Sequence, residues 1–149
     1  MIGKSSDENL ISLIEVFEKR IRKYADFKIE VIPNIKNPPN ERNVLIQKEG
    51  DLLISKIDRK NYNILLDVKG QEMSSERLAE NINKWLLLGK SRVTFIIAGA
   101  FGASKDVQGI VDKKLSLSKM TFSHQLIRLI FMEQLYRAFT INRNEPYHH

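Results

Sequence analysis

The sequence predicts an α/β fold, a mostly parallel sheet with helices on both faces. Strand-like and helix-like segments alternate along the whole chain, as parallel crossover topologies require. Ile64-Leu65-Leu66-Asp67-Val68 is a short run of mainly apolar residues, typical of a strand covered on both faces. Val93-Thr94-Phe95-Ile96-Ile97 is the clearest strand, and it runs directly into Gly99-Ala100-Phe101-Gly102-Ala103. In such folds ligands sit beyond the carboxyl ends of the strands.

Met1-Ile2 reads as the stub of a strand, and Ser5-Ser6-Asp7-Glu8 as a capping box opening a helix. Leu10, Leu13, Ile14, Phe17, Ile21 and Tyr24 follow at helical spacing as one inward stripe. Phe27, Ile29 and Val31 alternate with Lys28 and Glu30, as in a strand with one wet face, which Pro33 ends. Pro38-Pro39 stiffens a loop. The next helix spans about Glu41 to Lys56, with Leu45, Leu52, Leu53 and Ile57 inward, although Gly50 weakens it by about 1 kcal/mol relative to Ala. After the Ile64–Val68 strand and its Lys69-Gly70 turn, Ser74 or Ser75 caps a helix with Leu78, Ile82, Trp85 and Leu86 inward, and Gly89 closes it. Ser104 caps a short helix beyond the glycine loop, with Val107, Ile110 and Val111 inward. Leu115 to Leu117 forms a last short strand. A long helix then carries Leu126, Ile127, Leu129, Ile130, Phe131, Met132, Leu135, Tyr136 and Phe139. Apolar side chains cover most of its circumference, so it must be buried, either as a core helix alone or between the core and a partner.

A length of 149 residues predicts one domain over residues 1–149. Twenty-four Lys and Arg against 18 Asp and Glu leave a net charge of +6, which favours polyanionic partners, nucleic acid first. The absence of cysteine excludes disulfides, thiolate metal sites and cysteine nucleophiles. His124, His148 and His149 show no metal-ligand pattern, so no metal is expected. Arg128 and Glu133 interrupt the most apolar segment, so no membrane span is expected, and the simplest location is cytoplasmic.

Gly99 and Gly102 follow a strand and precede a helix. They serve either a nucleotide approaching the backbone or only a tight turn. The dinucleotide fingerprint is incomplete, and neither Gly3-Lys4-Ser5 nor Ser104-Lys105 has the upstream glycine of a phosphate loop. Ser116 to Thr121 mixes hydroxyls, a Lys and a Met before a helix start, as a capping loop or a binding loop would. Glu133 and Arg137 stand four apart, either as a surface pair or, with Arg128, as a functional edge of a largely buried helix. His124 reads as a helix-start histidine more readily than as a catalyst.

Three stretches, Leu115 to Gln125, Glu133-Gln134-Leu135-Tyr136-Arg137-Ala138 and Asn144-Glu145-Pro146-Tyr147-His148, together resemble the SPOUT superfamily of trefoil-knotted methyltransferases, in its ribosomal large-subunit branch. Lys48-Glu49-Gly50, Leu66-Asp67-Val68-Lys69-Gly70 and Ser74-Ser75-Glu76 fit the same pattern, so the likeness covers nearly the whole chain. The resemblance implies a C-terminal knot, a homodimer, and transfer of a methyl group from S-adenosylmethionine to N3 of a pseudouridine in 23S rRNA of the assembled ribosome. By position it implies a cofactor site of Leu66, Ala98, Gly99, Leu117, Ser118, Lys119, Met120, Thr121 and Phe122. It also implies that Tyr147 and His148 belong to a tail that helps form the site; with Glu133 and Arg137 they make the catalytic candidates, Arg137 or a neighbouring basic group stabilising a ring oxygen and His148 or Glu133 standing near the N3 proton. The family usually has Gly-Gly where this chain has Ala98-Gly99, and a full strand where only Met1-Ile2 precede Gly3.

A second reading, from another class, is a non-catalytic RNA- or ribosome-binding α/β module. Cofactor binding separates the two. A nucleotide hydrolase is excluded for want of a phosphate loop and metal carboxylates.

Overall fold

The computed structural model describes residues 1–3, 7–90 and 92–147. Among them the chain forms α1 (Glu8–Ile21), α2 (Arg42–Ile54), β1 (Tyr62–Glu72), α3 (Ser75–Leu86), β2 (Val93–Ile96), α4 (Lys105–Ile110), β3 (Lys113–Ser116) and α5 (His124–Asn142). The strands make a parallel sheet in the order β2-β1-β3, the α/β architecture that the alternation predicts. The chain divides into two compact units. One holds Met1–Lys4, Glu30–Glu72 and Lys90–His124; the other holds Ser5–Ile29, Met73–Gly89 and Gln125–His149.

The first unit is the sheet with α2 and α4. Tyr62 to Leu65 of β1 pair with Val93 to Ile96 of β2, and Ile64 to Leu66 pair with Lys113 to Leu115 of β3. Leu115 then pairs a second time, with Gln71, so residues 67–70 bulge out of the ladder. Asp67 begins the bulge by accepting the Lys69 amide at 2.8 Å. Gly70 completes it where a side chain has no room: a Cβ there would lie 2.5 Å from the Leu115 carbonyl carbon. The strand thus continues past the Lys69-Gly70 turn that its apolar run suggested.

The Met1-Ile2 stub is an interior position. Ile2 bridges Ile32 in parallel, donates its amide to the Ile97 carbonyl at 3.2 Å, and is only 2% exposed. The expected strand over Phe27 to Val31 reduces to that one bridge at Ile32. Pairing stops because the chain turns away at Gly3, whose φ is 82°, and Pro33 supplies no amide donor. Ile2, Ile32, Leu53, Leu65, Ile96, Ala98 and Val107 form the core between sheet and helices.

In the second unit α5 lies against α1 and α3. Tyr136 meets Phe17 at 5.9 Å and Tyr24 at 6.0 Å, and Tyr24 stacks on Phe139 at 5.8 Å. Toward α3, Ser75 donates to Gln134 at 2.6 Å and Asn142 to the Ala79 carbonyl at 2.9 Å. The cap of α1 is Asp7, which accepts from the Asn9 and Leu10 amides; Ser5 and Ser6 lie outside the described residues. Ser74 caps α3 as expected. Leu13, Leu52 and Leu86, expected inward, are exposed. Arg128, read as part of an edge, is 1% exposed, and burial lowers its guanidinium pKa.

Candidate functional site

The parallel register sets the carboxyl ends of the strands level. Leu65 pairs with Ile96 and Leu66 with Leu115, so the bulge after residue 66 and the segments after residues 96 and 116 lie at the same end of the sheet. Leu66, Ala98, Gly99 and Leu117 to Phe122 are therefore gathered there, within one unit. Ala98 is 7% exposed, and its methyl packs in the core with Leu53, Ile96 and Val107. Gly99 opens a tight turn in which the Gly102 amide donates to the Gly99 carbonyl at 3.1 Å, and Gly102 has a φ of 86°. Arg42 covers this turn, its guanidinium 4.9 Å from the Phe101 ring.

The loop after β3 is shaped by its serines. Ser116 donates its hydroxyl to the Ser118 carbonyl at 3.0 Å, and the Ser118 hydroxyl accepts the Met120 amide at 3.0 Å. Leu117, Ser118 and Phe122 are half-buried, whereas Lys119, Met120 and Thr121 are exposed. Met120 is 71% exposed, unusual for so apolar a side chain, so the loop presents an apolar arm to solvent.

Sequence reasoning missed Glu49. It is 9% exposed, and its Oε2 has no hydrogen-bond partner among the described residues. It lies against Gly99: a Cβ there would come within 2.9 Å of the carboxyl carbon and would clash with Oε2. Desolvation raises its pKa above the ordinary carboxyl value. The clue was available, since Leu45, Glu49 and Leu53 repeat every four residues and share one helix face.

The catalytic candidates lie in the other unit. Glu133 Oε1 accepts from Arg137 Nη2 at 2.6 Å and from Arg137 Nε at 2.9 Å. Glu133 Oε2 accepts from Gln134 at 2.7 Å. Arg137 Nη1 reaches the Tyr147 carbonyl at 3.4 Å, and its guanidinium stands 4.9 Å from the Tyr147 ring. Burial raises the Tyr147 hydroxyl pKa, the Glu133 charge adds to it, and Arg137 and Arg20 oppose it. Glu133, Arg137 and Tyr147 are thus brought together; His148 lies outside the described residues.

The turn that carries Tyr147 to Arg137 is a Schellman motif. Asn144 adopts a φ of 55°, its amide donates to the Ile141 carbonyl, and the Glu145 amide donates to the Thr140 carbonyl. Glu145 also accepts the Tyr24 hydroxyl at 2.5 Å, which pushes the tyrosine pKa upward. Among the described residues no cluster of His, Asp and Glu could hold a metal ion, and no helix is long and apolar enough to cross a membrane.

The chain matches a protein-family model described as a predicted SPOUT methyltransferase over residues 1–148. Curated relatives named ribosomal RNA large subunit methyltransferase H align over nearly the full length. The protein of Christiangramia forsetii is 46% identical across 99% of this chain and 95% of its own. That of Flavobacterium johnsoniae is 44% identical over the same shares. That of Parabacteroides distasonis is 42% identical across 100% of this chain and 96% of its own.

Proposed function

The chain belongs to the SPOUT family of methyltransferases and acts on ribosomal RNA; from that premise we propose S-adenosylmethionine as the methyl donor and N3 of a pseudouridine in 23S rRNA of the assembled ribosome as the acceptor. The observation that carries the donor site is the common end of the sheet at which Leu66, Ala98, Gly99 and Leu117 to Phe122 meet. The residues suit the group. Glycine and serine leave backbone donors and acceptors accessible, Met120 offers an apolar arm, and Glu49 holds a buried polar atom without a partner among the described residues. Bound there, the cofactor supplies an electrophilic methyl on a sulfonium, chemistry that needs no metal.

The protein's part is to orient the acceptor and to manage its N3 proton. Orientation alone is worth roughly 7–11 kcal/mol at its upper range. Glu133 Oε1 accepts from two Arg137 nitrogens, so its role in this reading is to hold Arg137. Arg137 keeps donors on Nη1 and Nη2 for a developing negative charge on a ring oxygen. Tyr147, neutral and packed on Arg137, fixes the guanidinium from its other side. In this reading the imidazole of His148 accepts the N3 proton.

The whole of residues 1–149 acts, in this reading, as one knotted catalytic domain in a cytoplasmic homodimer. Exposed apolar residues in the second unit support a partner: Ile11, Leu13 and Val16 on α1, and Leu87 after α3, which is 84% exposed.

The test is methylation of 70S ribosomes and of free 23S rRNA, both from a strain lacking the endogenous activity, with nucleosides resolved by mass spectrometry. N3-methylpseudouridine formed on ribosomes but not on free rRNA is expected. A methyl group on any other base, or equal labelling of both substrates, overturns the assignment.

A further inference from the structure

We propose that Glu49 is a cofactor-contacting residue whose Oε2 accepts a hydrogen bond from a neutral N–H or O–H donor on the nucleoside half of S-adenosylmethionine. The inference rests on the reading of the β2 and β3 loops as the donor site.

Three observations converge on this carboxyl. It fills the space that a side chain at Gly99 would occupy, so it stands directly behind the backbone at the carboxyl end of β2. It is almost wholly buried, yet Oε2 lacks a partner among the described residues, an unfavourable state unless something else supplies the donor. And α2 holds it there rigidly: Gly50 packs against Ser104, and Leu53 is 3% exposed in the core. A long polar side chain with an open route to water would turn outward, as Lys48 and Gln47 do on the same helix.

The surroundings decide which donor suits it. Ile96, Ala98, Leu53 and Val107 make this corner apolar. Bringing a second full charge, such as the cofactor's ammonium, into it adds a large desolvation penalty. A hydroxyl or exocyclic amine adds far less and still satisfies Oε2. The burial that raises the Glu49 pKa favours a neutral partner for the same reason, and an unprotonated carboxyl oxygen accepts in either protonation state.

Calorimetric titration of the full chain with three ligands tests this: S-adenosylmethionine, S-adenosylhomocysteine, which lacks the sulfonium charge, and methylthioadenosine, which lacks the amino-acid moiety. Glu49→Met, which keeps length and apolarity but removes the acceptor, should weaken all three by a similar factor, about tenfold. Glu49→Gln, which keeps an acceptor oxygen without charge, should bind all three within about threefold of wild type. Thermal unfolding without ligand should show both variants at least as stable as wild type, since an unsatisfied buried group is removed or neutralised; should Glu49→Met not fold, Glu49→Leu takes its place. Loss confined to ligands bearing the ammonium or the sulfonium overturns the proposal, as does undiminished binding by Glu49→Met. Wild-type protein that binds none of the three removes the donor-site reading, and this inference with it.

Discussion

Gly50 of α2 and Ser104 at the start of α4 meet so closely that a methyl group on Gly50 would lie 2.8 Å from the Ser104 Cβ and clash with its hydroxyl. Two effects oppose each other in Gly50→Ala. Helix propensity favours Ala by about 1 kcal/mol. Overpacking a rigid contact costs about 1–3 kcal/mol, and Ser104 cannot swing aside because it is buried and caps α4 through the Val107 amide at 3.3 Å. We expect Gly50→Ala to destabilise by about 1 kcal/mol, and Ser104→Gly, itself worth only a few tenths at a cap, to restore the double variant. Urea unfolding of the four proteins checks this; strictly additive changes would refute it.

Arg137→Ala should lower single-turnover methylation of ribosomes by about tenfold or more, equivalent to about 1.4 kcal/mol of transition-state stabilisation. Stability should change by less than about 1 kcal/mol, because the Glu133–Arg137 side chains are 23% and 25% exposed and partly screened. Arg137→Lys should not rescue, since an ammonium cannot reproduce the paired Nε and Nη2 contacts to Glu133. Loss of activity in step with loss of thermal stability would instead mark a structural role.

Asn144→Gly should leave stability nearly unchanged, while Asn144→Val should cost about 1–2 kcal/mol, because the left-handed conformation at φ 55° is closed to a β-branched residue. The same Val substitution should reduce methylation, since this turn positions Tyr147 on Arg137. Chemical denaturation and the ribosome assay read the two effects; equal behaviour of both variants would remove the Schellman turn from the explanation.

The Glu49 carboxyl sets the direction of a pH effect in the ligand-free protein. Its folded-state pKa lies above the ordinary 4.5, so as pH rises from that value the unfolded chain releases the proton first. The native state then binds more protons than the unfolded state, and stability falls until pH passes the folded-state pKa. Glu49→Gln lacks this loss, so its advantage over wild type should be small below about 4.5 and grow above it. Urea midpoints for both proteins across a pH series measure it, and a difference that stays constant with pH would refute the cause.

Much of the architecture was legible because it is periodic or punctuated. The apolar stretches placed β1 and β2, and Ser74 and Ser104 marked helix starts where the structure has them, whereas α3 ends at Leu86, ahead of the Gly89 expected to close it. What failed needed partners remote in sequence. Phe27 to Val31 alternates like a strand, yet the bridge forms only at Ile32, because its partner Ile2 is remote in sequence and the chain turns away at Gly3. The bulge at residues 67–70 follows from Leu115 being paired twice, which local pattern cannot show. Glu133 and Arg137 were visible by spacing, but the closure of Tyr147 onto them depends on one left-handed Asn. Glu49 enters the sequence pattern only as part of Lys48-Glu49-Gly50, although its spacing from Leu45 and Leu53 puts it on the inward face.

The interleaving of the two compact units has a consequence for how the chain reaches its fold. The sheet unit draws on three separate stretches and the helical unit on three others, alternating along the sequence. A single backbone break anywhere between residues 30 and 124 therefore leaves no fragment containing either unit whole. During folding, β1 must wait for β2 and β3, whose arrival closes long loops before any pairing energy is recovered. High contact order of this kind slows folding relative to a helical bundle of equal size. Refolding by stopped flow should accordingly be a late, shared event for both units rather than a sequence of independent halves.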